Sequence, residues 1–265
     1  MTNFISIEKL VPKSKLDFLE GLEHRDEFIT EVLVRDTVCR YHTTSKRTLW
    51  QAVGIEHIEP EMLDFIDGIS TDAVLYDIGA SNGIFSVYAS QRGLQVFSFE
   101  PEVQNFSLLG FNAYLNKTTR HQLKLFNIAL GSENMLNDMF IAKFEAGGHM
   151  KILGKPVKVG SSEEFAPDFV QNVMSYSLDS FIDIFELPQP NHIKIDVDGS
   201  EYDVFKGAQK TLSSPVLKSV FIELEEKNEH TPKIIEGLQH FGLKIIRKTQ
   251  VQNYQGLHNF VFERM

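Results

Sequence analysis

The sequence predicts an α/β protein with a doubly wound, mostly parallel sheet of seven strands and an antiparallel hairpin at one edge. Three observations support this prediction. Short apolar runs alternate with helical patterns from Ala73 onward, the runs contain few polar interruptions, and no helix separates the last two runs. Strands covered by helices on both faces show such runs, and two strands without a helix between them pair antiparallel.

The strand candidates follow one another between residues 73 and 265. In chain order they are AVLYDIG, LQVFSFEP, QLKLFNIAL, NHIKIDVDG, LKSVFIELE, LKIIRKTQ and HNFVFERM. The helical patterns between the first six are FSVYASQR, VQNFSLLGFNAYLN, SLDSFIDIF, EYDVFKGAQKTL and TPKIIEGLQHF. Gly93 and Gly242 stand where the first and the last of these helices are expected to end.

Two stretches lie outside this alternation. Residues 1–70 are predicted to form a mainly helical extension before a domain at residues 71–265. This extension contains KLDFLEGLEHRDEFITEVL, TLWQAVGI and PEMLDFIDGI, which have helical spacing, and Pro60 suits a helix start. Residues 132–175 are polar, rich in glycine and long for a connection. Connections of this length are commonly functional or mobile.

Composition argues against several classes of function. The chain has 265 residues, of which 42% are hydrophobic, and no apolar run is long enough to cross a bilayer. Its amino terminus lacks the pattern of a secretory signal, which predicts a cytoplasmic location. The net charge of −10 disfavours nucleic acid as a partner. Cys39 is the only cysteine, so neither an intramolecular disulfide nor a cysteine-based zinc site is possible. Oxygens of Asp196, Asp198 and Glu223 could bind an ion like magnesium, but carboxylates at strand ends usually serve without a metal, so we predict none.

The loop after the first strand, in the stretch VLYDIGASNGIF, carries the strongest functional signal. Asp77, Gly79, Ser81 and Gly83 form a DxGxSxG pattern whose glycines allow a tight turn and the close approach of a ligand to bare backbone. Glu100 ends the next strand about 20 residues later, the spacing at which a carboxylate accepts both hydroxyl protons of a ribose. The pattern therefore predicts a cofactor that contains a nucleoside.

Polar residues at the ends of other predicted strands extend this site. In a doubly wound sheet, ligands bind outside the carboxyl ends of the strands, where the strand order reverses. We expect five polar strand-end residues to meet at one edge of the sheet: Asp77, Glu100, Asn127, Asp196 and Glu223.

Two other interpretations of the glycine loop are weaker. GASNG also matches the GxSxG turn of serine hydrolases, with Ser81 as nucleophile, but no oxyanion-hole loop of the HGGG type precedes it. A dinucleotide fingerprint needs glycine where the chain has Ser81 and Ile84. A nucleoside without a pyrophosphate does not need those glycines, and the charge of Asp77 suits a cationic group such as the ammonium of a methionine moiety.

Five segments together resemble the FkbM-type S-adenosylmethionine-dependent methyltransferases. They are LYDIGASNGIFSVYAS, VFSFEPEVQNFSLLGFNAYLN, NIALG, SYSLDSF and IKIDVDGSEYDVFKGAQKTL, within residues 74–225. The resemblance implies a Rossmann-like class I methyltransferase fold and S-adenosyl-L-methionine as the cofactor. It also implies O-methylation of a hydroxyl on a sugar, glycan or natural product. The alternatives are an NAD-dependent oxidoreductase on a similar sheet and a non-catalytic module that binds nucleosides.

The resemblance also implies roles for individual residues. By position, it places cofactor contacts at Asp77, Gly79, Ser81, Gly83, Glu100, Asn127, Ile128 and Asp196. Asp196 lies in KIDVDG, where Asp198 replaces the commoner glutamate of the family signature. Asp196 is a candidate to position or deprotonate the acceptor hydroxyl, or to hold the methionine ammonium. His149, in AGGHM, is a second candidate for the general base. Residues 132–175 are expected to select the acceptor.

Overall fold

The computed structural model describes residues 11–17, 28–157, 163–252 and 254–265. Its amino-terminal part is a hairpin followed by three helices. These elements are β1 (Ile29–Val34), β2 (Thr37–His42), α1 (Lys46–Val53), α2 (Ile55–Ile58) and α3 (Pro60–Asp67). Ser45 and Thr48 form a capping box at the start of α1, and Pro60 occupies the first turn of α3, as its sequence predicted.

The hairpin corrects one part of the predicted helical extension. Residues 13–17 are helical and residues 18–27 lie outside the described part of the chain, but residues 29–33 belong to β1 and were wrongly assigned to a helix. β2 alternates between buried and exposed positions, with Cys39 and Tyr41 facing the core. A two-residue turn joins the strands, and Arg35 in this turn has a φ of 53°. Cross-strand pairing and burial therefore outweigh the local helical spacing.

The first half of the main sheet follows the hairpin and helices. Its elements are β3 (Val74–Ile78), α4 (Ile84–Gln91), β4 (Gln95–Phe99), α5 (Val103–Leu115) and β5 (Leu123–Phe126). All five residues of β3 are buried, which explains why its sequence is nearly continuous in apolar residues. The single predicted strand over residues 122–130 is divided, because the chain leaves the main sheet after Phe126.

Four strands between residues 129 and 177 form a second, smaller sheet, which we call the insert sheet. Its strands are β6 (Ala129–Gly131), β7 (Met135–Ile141), β8 (Lys151–Leu153) and β9 (Phe169–Ser177), in the spatial order β6-β9-β7-β8. β7 and β9 are antiparallel, and Met135 pairs with Ser175. Strands that are paired over such a separation leave little local signal, so the sequence indicated only a polar connection here.

The second half of the main sheet returns to the other side of β3. Its elements are α6 (Leu178–Phe185), β10 (His192–Ile195), α7 (Glu201–Gly207), α8 (Gln209–Ser213), β11 (Ser219–Glu225), α9 (Thr231–His240), β12 (Leu243–Gln250) and β13 (Leu257–Arg264). The strand order is β12-β13-β11-β10-β3-β4-β5, and β13 is antiparallel to both of its neighbours. The predicted seven-stranded sheet with its antiparallel edge hairpin is therefore confirmed.

Apolar side chains cover both faces of this sheet. One core cluster includes Tyr76, Ile193 and Phe262, and the other includes Leu75 and Phe221. The amino-terminal segment packs on the second face, where the Asn259 amide donates to Glu61 Oε1 at 2.9 Å. None of the helices that the structure describes combines the length and apolar character of a membrane span.

Candidate functional site

The strand order reverses between β3 and β10, so the crevice for a ligand is expected beyond their carboxyl ends. The loop after β3 lies there with three residues at positive φ: Gly79 (80°), Ser81 (52°) and Gly83 (78°). A Cβ on Gly79 would lie 1.9 Å from the backbone oxygen of Asp196, which follows β10. Gly79 therefore keeps the two strand ends in direct backbone contact. The close approach of a ligand to this glycine stays a prediction.

Glu100 lies at the end of β4 and joins this loop to α5. Its carboxylate accepts the N–H of Ser81 on Oε2 at 2.8 Å and the N–H of Glu102 on Oε1 at 2.9 Å. Each oxygen keeps a second lone pair, which suits the two hydroxyls of a ribose. Burial raises the pKa of Glu100 to about 7, although both N–H groups and the charge of Lys151 act in the opposite direction.

Asn127 and Ile128 lie beside Glu100, after β5. The Asn127 amide nitrogen donates to the backbone oxygens of Glu100 and Pro101 at 2.9 and 3.0 Å. Its Oδ1 is the atom left to accept a hydrogen bond from a ligand. Ile128 is half-buried and packs against the core. The structure therefore places Asn127 and Ile128, which the resemblance assigns to the cofactor site, beside Glu100.

Asp77 is less open to a ligand than its sequence position indicated. Its carboxylate is 1% exposed, accepts the hydroxyl of Ser86, and has Oδ1 3.1 Å from Lys194 Nζ. That contact has ion-pair distance but not hydrogen-bond geometry. The role of Asp77 in cofactor binding stays a prediction. Because its charge is compensated inside the protein, we expect it to act by shaping the loop.

Lys194 organises the carboxyl ends of β3 and β10. It is 2% exposed, donates to the Gly79 backbone oxygen at 2.6 Å, and lies 3.4 Å from Asp196 Oδ2. The Asp196 side chain is 33% exposed, so it faces the crevice more openly than Asp77 does. Sequence reasoning missed Lys194, although a lysine between apolar residues in HIKI was a usable signal.

Further carboxylates surround Asp196. Glu59 precedes α3, Glu201 begins α7, and Glu223 lies in β11. Burial raises the pKa of all three, to about 8 for Glu201, and repulsion from Asp196 adds to each shift. Glu223 therefore does join this edge of the sheet, as predicted. Within the described residues, no group of three or more histidine, cysteine or acidic side chains has the geometry of a metal site.

His149 lies in the insert, in a loop that α1 holds against the glycine loop. Arg47 donates to His149 Nδ1 at 2.9 Å and also to the Gly147 backbone oxygen. Gln51 contacts the same oxygen at 3.1 Å and accepts from the Asn82 amide at 2.9 Å. A guanidinium only donates, so Nδ1 is the acceptor and the ring proton lies on Nε2. This arrangement makes His149 a weaker candidate than Asp196 for a general base.

The residues that sequence reasoning missed in this site, apart from Lys194, come from distant segments. Arg47, Gln51 and Glu59 belong to the amino-terminal extension, and Lys151 belongs to the insert sheet. No local pattern marks them, because only the tertiary fold brings them to the crevice. Among the described residues, no hydrogen bond joins the Ser81 hydroxyl to a histidine, which removes support from the hydrolase interpretation.

Comparison with known proteins identifies the family. Residues 77–245 match the model of the methyltransferase FkbM domain. The chain belongs to the FkbM methyltransferase family. It is an S-adenosylmethionine-dependent methyltransferase with the class I fold, as the resemblance of its motifs implied.

The FkbM chain is also similar to individual proteins. It is 23% identical over 175 residues to the hexuronic acid methyltransferase AglP of Haloferax volcanii, and this alignment spans 66% of each protein. A crystal structure of an FkbM methyltransferase from Methylobacillus flagellatus has a TM-score of 0.49 at 15% identity, covering 72% of this chain and 43% of that one. Magnesium protoporphyrin IX methyltransferase from Synechocystis, with bound SAM, has a TM-score of 0.48 at 11% identity, covering 84% and 86%.

The residues of this FkbM protein fit S-adenosylmethionine. The carboxylate oxygens of Glu100 can each accept a hydroxyl, and the acidic edge around Asp196 suits a cationic ligand. When bound, the cofactor supplies a methyl group on a positively charged sulfur. The individual cofactor contacts stay predictions that binding measurements on variants can test.

The raised pKa of Glu100 predicts that cofactor binding depends on pH. An ionised carboxylate can accept both hydroxyls of a ribose, whereas a protonated one loses acceptor capacity. Affinity for S-adenosylhomocysteine should rise with pH up to a midpoint of about 7 and fall by up to ~10-fold per unit below it. Calorimetry between about pH 5.5 and pH 8.5 measures this. Glu100→Gln should bind at least ~10-fold more weakly with a flatter profile, and an unchanged profile would contradict the assignment.

Proposed function

We propose that the protein transfers the methyl group of S-adenosylmethionine to a hydroxyl of a sugar or of a glycan. The observation that carries this proposal is the partly open carboxylate of Asp196, which lies at the strand-order switch beside the glycine loop of an FkbM methyltransferase. The hexuronic acid methyltransferase AglP, the relative described above, supports a sugar as the acceptor class.

Asp196 suits the acceptor side of the reaction. The methyl group is already activated on sulfur, so the protein mainly aligns the acceptor oxygen and helps to remove its proton. A carboxylate can accept a hydrogen bond from the hydroxyl and then take its proton as the oxygen gains the methyl group. Lys194 keeps Asp196 next to Gly79, at the end of the strand that faces the crevice.

Asp196→Asn separates the possible roles of this side chain, because it removes the charge and keeps the shape. If Asp196 is the base, the turnover rate should fall ~10²-fold or more while affinity for S-adenosylhomocysteine stays within a few-fold of wild type. If it anchors the methionine ammonium, affinity should fall first and saturating cofactor should restore part of the rate. His149→Gln is the matched control and should have a smaller effect than Asp196→Asn. Wild-type turnover by Asp196→Asn would contradict both roles.

The acceptor class can be tested with a panel. Neutral sugars, hexuronic acids, sugar nucleotides and small polyols should be incubated with the protein and S-adenosylmethionine, and products with one added methyl group should be detected by mass. We expect gain of a methyl group on at least one sugar, and its loss with Asp196→Asn. Methylation restricted to acceptors without a sugar would overturn the proposed class while leaving the enzyme class intact.

We further propose that residues 71–265 form the catalytic domain and that residues 1–70 complete its crevice. Arg47 and Gln51 of α1 hold the His149 loop, and Glu59 lies among the carboxylates near Asp196. These contacts support a role for the amino-terminal segment on the acceptor side. The cytoplasmic location stays a prediction from the sequence.

A further inference from the structure

A buried lysine of the insert sheet lies next to the ribose-binding acid. Lys151 is the first residue of β8 and is only 8% exposed. Its Nζ lies 2.6 Å from Oε2 of Glu102, which is 1% exposed. Both charges are therefore removed from water, where an ion pair depends on close geometry and further hydrogen bonds.

Glu102 connects this lysine to Glu100. The backbone N–H of Glu102 donates to Glu100 Oε1 at 2.9 Å, so the two acids are held together. The Glu102 carboxylate also caps α5, because it accepts the N–H groups of Gln104 and Asn105 at 2.9 Å each. Any displacement of Glu102 would therefore move the group that orients the Glu100 carboxylate.

The same lysine also contacts the signature turn after β10. The backbone N–H of Lys151 donates to Asp198 Oδ2 at 2.9 Å. Lys151 thus links the end of β4, which is followed by the predicted ribose acid Glu100, to the KIDVDG turn that contains Asp196. Lys151 of β8 consequently contacts the predicted cofactor side of the site, whereas the sequence had assigned this segment to the acceptor side alone.

The charges around Glu100 act on its ionisation in opposite directions. The positive charge of Lys151 favours the ionised carboxylate, whereas the negative charge of Glu102 disfavours it. The N–H groups of Ser81 and Glu102 also favour the ionised form. We propose that Lys151 is a positioning residue of the cofactor site, which orients the Glu100 carboxylate toward the ribose through its ion pair with Glu102 and places a positive charge near that carboxylate. This inference rests on the predicted contact between Glu100 and the ribose.

Substitutions of Lys151 and of Glu102 should shift the pH midpoint of cofactor binding in opposite directions. In calorimetric titrations with S-adenosylhomocysteine across pH, Lys151→Met should move the midpoint to higher pH by ~1 unit and weaken binding up to ~10-fold near neutral pH. Glu102→Gln keeps one oxygen for the helix cap and removes the charge, so the midpoint should move to lower pH. Lys151→Arg should restore a profile close to wild type.

Loss of packing alone would not give this pattern. A purely structural role would weaken binding in both variants without opposite shifts, and that result would overturn the proposal. Lys155→Met is the matched control, because Lys155 is exposed in the same segment and its substitution should leave affinity and midpoint unchanged. If Lys151→Met does not fold, Glu102→Gln alone is compared with wild type. A pH midpoint of S-adenosylhomocysteine binding that is unchanged or raised in Glu102→Gln would also overturn the proposal.

Discussion

Replacing Lys194 by methionine is expected to lower the free energy of unfolding by about 3–5 kcal/mol. The substitution leaves the Asp77 carboxylate, which is 1% exposed, without its cation and with only the Ser86 hydroxyl as a hydrogen-bond donor. An unpaired charge in the interior is among the most destabilising changes that a single substitution can make. Denaturant unfolding at neutral pH measures the loss.

A double variant tests the cause of this loss. Asp77→Asn combined with Lys194→Met removes both charges, so most of the stability lost by the single variant should return. Methyl transfer should stay impaired in the double variant, because Lys194 also donates to the Gly79 oxygen and lies beside Asp196. A loss below about 1 kcal/mol in Lys194→Met would contradict a compensated buried pair.

Gly79→Ala should abolish binding of S-adenosylhomocysteine in any fraction of the protein that folds. The residue has a φ of 80°, and its Cβ would lie 1.9 Å from the backbone oxygen of Asp196. No side chain can move to relieve this contact, so the ends of β3 and β10 must separate. We expect a stability loss above ~4 kcal/mol, together with loss of binding in calorimetry.

Gly93→Ala is the matched control for the backbone conformation. Gly93 has a φ of 91°, but the atom nearest to its added Cβ would be Thr71 Cγ2 at 3.4 Å. The free energy of unfolding of this variant should fall by only ~1–2 kcal/mol, the cost of a left-handed conformation for alanine. The variant should bind the cofactor normally. Equal losses of stability and of cofactor binding in the two variants would mean that the backbone conformation alone, and not the contact with Asp196, makes Gly79 necessary.

The main sheet could be predicted because its strands carry their own signal. Runs such as VLYDI and HIKI are buried on both faces, so burial alone marks them as strands whatever their partners. The cofactor loop was equally visible, since glycine is required where φ is positive and the contact is close. Glu100 could be placed by spacing, because a carboxylate that binds ribose follows the second strand of such folds.

The hairpin at β1 and β2 and the insert sheet were not predictable in the same way. The partners of β7 and β9 are more than thirty residues apart for most pairs, so pairing and not local preference forms these strands. Lys151 reaches the site through the insert sheet, and Arg47 reaches it through α1, which follows the hairpin. The sequence therefore predicted the strand-end residues of the crevice more completely than the side chains that hold them in place.

The sheet order has a consequence for synthesis on the ribosome. β13 follows the other six strands of the main sheet in the sequence, yet it lies between β11 and β12. Until β13 inserts, one edge of β11, a strand of mostly apolar residues, has no partner strand. Glu61 also lacks its hydrogen-bond donor, the Asn259 amide, which is 198 positions later in the sequence. A nascent or truncated chain without β13 would thus expose an edge strand that can pair with another chain. Insertion of β13 closes that edge from within the sheet.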